Sequence, residues 1–367
     1  MEINNFRDFI NALNDLGEPK DGHTRFFRGH SKLSYKLEPS IYRLDPDQSP
    51  RNPKYLINNE DKIIRDALTS CPDAFKTSDT LFQKLVKLQH YGYATRLLDL
   101  TSNALVALYF AAQSGINTDS NDGELIVLDI PDAQIKYDDS DIVSILSAIS
   151  LRGVDFSVKS YSQWAEFNGL IQLMHYTIKH KNNIIDDELK HEISYLIDRH
   201  NDLFSESGLT RFNDCCGRLT TLTDNDPFFK KAVKEVYDKA VMNSFNNQSE
   251  IAKLLHDIRH DKPSFAPVID KEDFSKVVCV RAKLNNPRII RQQGSFLLFG
   301  MNNEKEIKAE VDSDWKRLLS DGSSLVIKSE AKQEILRELK SFGISRQNLF
   351  PELDAQAKDI MDKYRCL

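Results

Sequence analysis

Arg25-Phe26-Phe27-Arg28-Gly29-His30 is the stretch that decides the fold prediction, because it is the first segment of the chain with strand character. It places an arginine at a strand end beside a glycine. Such an arginine can bring its guanidinium close to a bound anion, and the glycine lets a ligand approach the backbone. Further strands are predicted downstream at 124–130 (stopped by Pro131), 276–280, 294–299 and 325–327.

Helices are predicted between these strands from apolar residues at helical spacing. Two helical stretches follow the polar loop after the first strand, and Leu81, Leu85 and Leu88 share one face of the second. A later helix is capped by Ser102 or Asn103 and ended by Gly115. Further helices are predicted at 332–340 and 353–364, and residues 138–268 are almost wholly helical in pattern. The fold class is therefore α+β. The middle zone is equally compatible with an inserted helical domain and with helices packed on one large core.

Composition and charge exclude several classes of protein. The 367 residues carry 49 basic and 55 acidic side chains, a net charge of −6, which disfavours nucleic acid as a partner but is compatible with a local basic groove. Met1 to Phe6 has no signal-peptide pattern, and the longest apolar run, 104–112, is far short of the roughly 20 residues that span a bilayer. Five cysteines without C-x-x-C spacing favour a reduced chain. A cytoplasmic protein without a membrane partner is predicted.

The densest group of chemically useful side chains lies at 89–101, where a helix meets the next element. His90 can transfer a proton near neutral pH, and Arg96 can hold a phosphate or carboxylate through two parallel hydrogen bonds. The structural alternative is an internal Arg96–Asp99 pair that ties the turn together. Before any family is considered, that alternative carries more than half of the weight.

A third candidate is Gln292-Gln293-Gly294-Ser295-Phe296, where two amides stand at a turn before a buried strand. They can read a ribose or a base, or satisfy turn backbone groups. No metal site is predicted: His256 and His260 have helical spacing, but no glutamate follows His256.

Taken together, these motifs resemble the FRG-domain family, which is named for the triplet Phe27-Arg28-Gly29. The resemblance rests on four further segments in the same order: His90-Tyr91-Gly92 with Thr95-Arg96-Leu97-Leu98-Asp99, then Ala107-Leu108-Tyr109-Phe110-Ala111, then Arg288-Ile289 with Gln292-Gln293-Gly294-Ser295-Phe296, and finally Gly343-Ile344 with Leu349-Phe350-Pro351-Glu352-Leu353-Asp354. It implies one discontinuous FRG domain over 20–132 and 270–364, with a helical insertion over 138–268 that can contact a protein partner. FRG domains occur in bacterial and phage-linked proteins.

The same order is similar to that of ADP-ribosyltransferases. This resemblance implies a small split-sheet core with flanking helices, and NAD as a candidate substrate without a resident cofactor. In that family an arginine on the first strand binds the phosphates of NAD, and a Ser/Thr-rich strand leads into a helix ending in Phe-Ala. A glutamate just before a late strand then acts on the ribose. Here the late strand would be 296–298, which puts Ser295 at the position of that glutamate and Gln293 two places before it.

Neither Ser295 nor Gln293 is charged, so the chain departs from the pattern at its catalytic residue. Either Asp99 supplies the carboxylate from another strand, or the domain binds a nucleotide without transferring it. The predicted catalytic residues are Arg28, His90, Asp99 and Gln293. The predicted nucleotide-binding residues are Gly29, Tyr91, Arg96, Thr101, Ser102, Gln292 and Ser295. The leading prediction is a nucleotide-binding toxin or anti-phage effector, and the alternative is a non-catalytic interaction module.

Overall fold

A computed structural model describes residues 1–43, 56–113, 121–181, 185–198, 206–223 and 227–365. The chain divides into two compact units. The first comprises Met1–Asp155 and Phe274–Leu367, and the second comprises Phe156–Asp273.

The first unit contains all of the described strands. They are β1 (Glu2–Ile3), β2 (His23–His30), β3 (Leu97–Thr101), β4 (Gly123–Pro131), β5 (Ile135–Tyr137), β6 (Val277–Arg281), β7 (Gly294–Phe299), β8 (Lys316–Arg317) and β9 (Leu325–Ile327). Its helices are α1 (Phe6–Leu16), α2 (Glu60–Ser70), α3 (Leu81–His90), α4 (Ala104–Ala112), α5 (Asp141–Ala148), α11 (Pro287–Gln292), α12 (Lys332–Ser341), α13 (Arg346–Leu349) and α14 (Leu353–Arg365). Helices and a mixed sheet in one unit confirm the predicted α+β class.

Helices are the only regular secondary structure among the described residues of the second unit. Its helices are α6 (Val158–Lys181), α7 (Asp187–Asp198), α8 (Glu206–Thr223), α9 (Pro227–Asn246) and α10 (Ser249–Asp261). Part of its core joins apolar side chains of three of these helices with one that precedes α7: Phe167, Met174, Ile185, Leu189, Ile193, Leu196, Phe212, Cys215 and Leu219. Among the helices in the described residues, none has both the length and the apolar character needed to cross a membrane.

The strands of the first unit form one mixed sheet, in which two neighbouring central strands pair at one position only. The strand order is β1-β9-β4-β2-β3-β7-β6-β5, with β8 paired to β4 beside this path. β2 and β4 pair over eight positions, and β3 and β7 pair over five. In contrast, the described pairing between β2 and β3 consists of one position, Phe27 with Thr101. Among the described residues, strand pairing therefore joins the two halves of the sheet at a single position.

Each residue of the Phe27-Arg28-Gly29 triplet has a separate position in this fold. Phe27 is buried in the core that β2 shares with α4. A Cβ atom at Gly29 would lie 2.0 Å from the carbonyl oxygen of Ala107 and 2.5 Å from the amide nitrogen of Ala111. Glycine is therefore required for α4 to lie so close to β2. Arg28, between them in sequence, belongs to the site described below.

We expect Gly29→Ala to lower the free energy of unfolding by about 1–3 kcal/mol, because backbone atoms of α4 must move to admit the methyl group. Urea denaturation measures this loss. Gly217→Ala in α8 is the matched control, since a Cβ there meets no atom within 4 Å. Replacing a helical glycine with alanine is expected to add about 0.5–1 kcal/mol. Equal stability of the two variants would contradict the close packing of α4 on β2.

The predicted strands and most predicted helices are present in the structure. Asn103 is the residue that caps α4, since its Oδ1 accepts a 2.9 Å hydrogen bond from the Leu105 amide. The predicted stop at Gly115 lies outside the described residues. The elements that were not predicted include β1, β5 and β8, which have only two or three residues and carry little periodicity. They also include α1, although its apolar residues do lie at helical spacing.

Candidate functional site

The site begins where β2 and β3 separate. Beyond the pair of Phe27 with Thr101, the two strands no longer hydrogen-bond, and the Arg28 side chain bridges them. Its Nη1 donates a 2.6 Å hydrogen bond to the carbonyl oxygen of Asp99, and its Nε donates to Nε2 of His30 at 2.9 Å. A side chain therefore links the two halves of the sheet where strand pairing has ended.

Arg28 carries a charge that no described residue neutralises directly. Burial lowers the pKa of its guanidinium to about 10, while the nearby Asp99 charge opposes the shift and Arg43 adds to it. The group therefore stays protonated at neutral pH. Both of its hydrogen-bond acceptors are uncharged, and no carboxylate of the described residues lies within 4.0 Å of it. A poorly solvated cation of this kind attracts an anionic ligand.

His30 holds Arg28 from the same strand. It is only 2 % exposed, and burial together with the Arg28 and Arg43 charges lowers the pKa of its ring to about 3. The ring is thus neutral at physiological pH, and Nε2 is the unprotonated nitrogen that accepts from Arg28. Protonation of His30 would place a second cation against the first.

We expect the free energy of unfolding to fall as the pH drops below about 6.5, the ordinary pKa of histidine. Unfolded His30 takes up a proton there, whereas the folded ring does not until about pH 3. The loss is about 1 kcal/mol per pH unit for this residue. Burial also lowers the pKa of His90, which acts in the same direction. Urea denaturation at pH 7.5 and 5.5 measures the change, and His30→Gln should lose less stability on acidification. An identical loss in both proteins would contradict this account.

A pocket of ≈ 140 Å³ lies over the gap between the two strands. Its lining combines side chains and backbone from β2, β3, α4 and α11, namely Phe27, Arg28, Gly29, Asp99, Leu100, Thr101, Phe110, Arg288 and Gln292. Two arginines, one aspartate and two phenylalanines therefore line a single opening.

Arg288 supplies the second guanidinium from α11. This helix begins at Asn286, whose Oδ1 accepts a 2.8 Å hydrogen bond from the Arg288 amide. The Arg288 side chain lies over the Phe350 ring, with Cζ 4.5 Å from its centroid, and Nη1 donates to the carbonyl oxygen of His90 at 3.2 Å. Its buried Nε has no partner among the described residues. The guanidinium is held by a ring and a carbonyl, so its charge is also uncompensated at close range.

Asp99 is the one carboxylate among the described residues that line this pocket. It is solvent-exposed, and its Oδ2 accepts a 2.8 Å hydrogen bond from Nε2 of Gln89. Gln89 is oriented in turn by the Thr95 hydroxyl, which donates to its Oε1. Gln89 of α3 and Thr95, just before β3, thus fix the direction of the Asp99 carboxylate.

The remaining side of the pocket is tied together by Thr101 and Gln292. The Thr101 hydroxyl donates to the carbonyl oxygen of Gln292 at 2.7 Å and accepts from the Asn103 amide at 3.0 Å. The Gln292 side chain donates to the carbonyl oxygen of Leu349 at 3.1 Å. These hydrogen bonds therefore connect β3, α4, α11 and α13 around the opening of the pocket.

The predicted site residues do not all meet in one place. Ser102, Gln293 and Ser295 line a second pocket of ≈ 490 Å³, together with Thr24 and Phe26. Thr24 and Phe26 precede Phe27, and Ser102 follows Thr101, so in this antiparallel pair they lie at the opposite end of the strand contact from Arg28 and Asp99. The two pockets thus flank the single β2–β3 pair.

His90 and Tyr91 line neither of these two pockets. Nδ1 of His90 accepts a 2.8 Å hydrogen bond from Nδ2 of Asn286, while its carbonyl oxygen accepts from Arg288. Tyr91 is 74 % exposed. His90 therefore contributes by positioning Arg288 and the start of α11.

Arg96 is fully buried in a charged cluster away from both pockets. Its Nε donates to Oε1 of Glu60 at 2.9 Å, its Nη2 donates to Oε2, and its Nη1 donates to the carbonyl oxygen of Phe299 at 3.0 Å. Lys305, also fully buried, has its Nζ 3.3 Å from Oε2 of Glu60. The alternative of an internal Arg96–Asp99 pair is therefore wrong, because Arg96 pairs with Glu60. Side chains three positions apart along extended backbone point to opposite faces, and Asp99 faces the pocket instead.

Sequence reasoning did not assign Arg288 or Phe110 to the site. Both residues are in the motifs that carried the family resemblance, but no local pattern shows that α11 and α4 meet over the gap between β2 and β3. Arg288 follows its partner His90 by 198 residues.

Comparison with known protein families finds one match in this region. The family model described as FRG domain matches residues 23–120, from the first residue of β2 to beyond the end of α4. This region therefore carries an FRG domain, as the motifs predicted. Arg28, Asp99, Thr101 and Phe110 lie inside the matched region, whereas Arg288 and Gln292 lie outside it. No curated protein and no solved structure matches the chain.

Proposed function

We propose that the FRG domain binds a nucleotide through its anionic group in the pocket between β2 and β3. The observation that carries this proposal is the presence of two guanidinium groups, Arg28 and Arg288, on one opening without a carboxylate paired to either. Paired guanidinium groups suit the oxygens of a phosphate or diphosphate. The Phe110 ring on the same wall offers an apolar surface for the rest of the ligand.

NAD is the nucleotide that we propose first. One support is the predicted similarity to ADP-ribosyltransferases, which implies a split-sheet core. A second support is that β2 and β3 pair only at Phe27 and Thr101 among the described residues, which divides the sheet at that point. The pocket of ≈ 140 Å³ is smaller than the roughly 300–1,000 Å³ of sites that enclose a drug-sized molecule. The diphosphate would therefore occupy the pocket, with the two nucleosides reaching beyond it.

Asp99 is the residue that we propose for a transfer step. In such a step the bond from the ribose C1′ to nicotinamide breaks, nicotinamide leaves with the bonding electrons, and a water or acceptor oxygen bonds to C1′ and loses its proton. A carboxylate beside C1′ stabilises the positive charge that develops on the ribose. Asp99 has an exposed carboxylate held by Gln89, which suits this role. A toxin or anti-phage role for this activity rests on the bacterial and phage-linked proteins in which FRG domains occur.

The second candidate function is binding without turnover. It is favoured by the position of Gln293 and Ser295, which replace the glutamate of the transferase pattern and line the other pocket. In this function Asp99 would only orient the ligand.

A thermal-shift titration with pyrophosphate, ADP-ribose, NAD and adenosine tests the proposal. We expect the three phosphate-bearing ligands to stabilise the protein, by about 2.7 kcal/mol at 100 times the dissociation constant, and adenosine to have no effect. Stabilisation by adenosine alone, or by none of the four, would overturn it. Release of nicotinamide from NAD, lost in Asp99→Asn while binding persists, would distinguish transfer from binding without turnover.

A further inference from the structure

The helical unit contains a groove of ≈ 620 Å³ between α6 and α9 that is independent of the FRG domain. The helices run antiparallel: Asn168 of α6 donates to the Ser244 hydroxyl of α9 at 3.1 Å, and Gln248, just past α9, donates to the Tyr161 carbonyl oxygen near the start of α6. They approach closely where Gly169 faces α9, since a Cβ atom there would lie 2.4 Å from Cγ2 of Val241.

Half of the residues that line the groove carry side-chain amides. Asn168 and Gln172 follow one another at helical i, i+4 spacing on one wall, and Asn243 and Asn247 do so on the other. Within the described part of the chain, the side chains of Gln172, Asn243 and Asn247 make no hydrogen bond. Each offers one donor group and one acceptor to whatever occupies the groove.

The spacing of these amides matches an extended polypeptide. Residues at i and i+4 of a helix are about 6 Å apart along its axis. The backbone groups on one side of an extended chain recur every two residues, or about 6.7 Å. Gln172 lies eight positions after Trp164, so the two are about 12 Å apart along the helix axis, the length of roughly four extended residues.

The charge and the apolar surface of the groove limit the classes of partner that it can bind. Lys239 is the one charged side chain among the described residues that line the groove, and the lining includes no carboxylate. A single cation would leave the phosphates of a nucleic-acid strand largely uncompensated. Val236 and Ala240 contribute small apolar surfaces, and Trp164, 37 % exposed, provides a large one. These features suit a peptide that carries an acidic and an apolar side chain.

We propose that the groove between α6 and α9 binds an extended peptide segment of a partner protein, with an acidic side chain opposite Lys239. The amides on both walls hold the peptide backbone, which is why the site can accept several sequences that share this charge. This inference does not depend on nucleotide binding by the FRG domain.

Fluorescence polarisation of the full-length protein tests this proposal with three pools of labelled, end-blocked heptapeptides. The pools share their apolar residues and carry net charges of −2, 0 and +2. We expect the acidic pool to bind most tightly. Asn243→Asp adds a negative charge to the wall and should weaken that binding by roughly tenfold or more. Asn247→Asp serves the same purpose if circular dichroism shows that Asn243→Asp is unfolded.

Gln163→Glu is the matched control, since it adds the same charge to an exposed position of α6 that does not line the groove. It should bind the acidic pool like the natural protein. Three results would overturn the proposal: no saturation by any pool below about 1 mM, equal weakening by Asn243→Asp and Gln163→Glu, or tighter binding of a labelled heptathymidylate than of every peptide pool.

Discussion

Replacing Arg96 with alanine is expected to lower the free energy of unfolding by about 3–5 kcal/mol. The guanidinium makes three hydrogen bonds in the interior, two to the carboxylate of Glu60 and one to the carbonyl oxygen of Phe299. Both charged side chains are fully buried, so the variant leaves the Glu60 carboxylate without its closest partner. Lys305 remains 3.3 Å from that carboxylate, and burial lowers the pKa of its amine.

Urea denaturation of Arg96→Ala measures this loss, with Arg218→Ala as the control. Arg218 pairs with Asp186 at 2.8 Å, but both side chains are substantially exposed, so its removal should cost at most about 1 kcal/mol. If the two variants were equally stable, the buried cluster would not stabilise the fold in the way described.

In contrast to Arg96→Ala, Arg28→Ala is expected to have a large effect on the binding of the anionic ligand and a small effect on the free energy of unfolding. Hydrogen bonds from a charged group contribute about 1.5–3 kcal/mol, so its removal should weaken the binding of pyrophosphate or NAD roughly 10- to 100-fold. The two hydrogen bonds that it loses go to the neutral acceptors His30 and the Asp99 carbonyl. Removal of an uncompensated cation offsets that loss, so we expect stability to change by no more than about 1 kcal/mol.

Several features of the fold and of the site can be predicted from the sequence alone. Strand and helix positions followed from local periodicity, as for 294–299 and α3, because each pattern lies within one element. The triplet at 27–29 was recognised from its residue types, and the FRG family match at 23–120 confirms that identification. Arg28 and Asp99 are both predicted site residues, and both line the same pocket.

Local patterns could not predict that Arg96 is buried in the interior while Asp99, three residues later, lines the pocket. This arrangement depends on Glu60, which lies 36 residues before Arg96 and has no local pattern that links it to an arginine. The placement of Gln293 in the other pocket depends on a single strand pair, Phe27 with Thr101. Long-range register of this kind is set by how the elements pack together, so a list of motif residues cannot supply it.

The central claim is that Arg28 belongs to an anion-binding pocket between the two halves of the sheet. Isothermal titration calorimetry with pyrophosphate, on the natural protein, Arg28→Ala and Arg281→Ala, tests it most directly. Arg281 lines the larger pocket and serves as the control. The account predicts that Arg28→Ala weakens binding at least tenfold and that Arg281→Ala leaves it unchanged. Binding that survives in Arg28→Ala and disappears in Arg281→Ala would contradict it and place the anion in the other pocket.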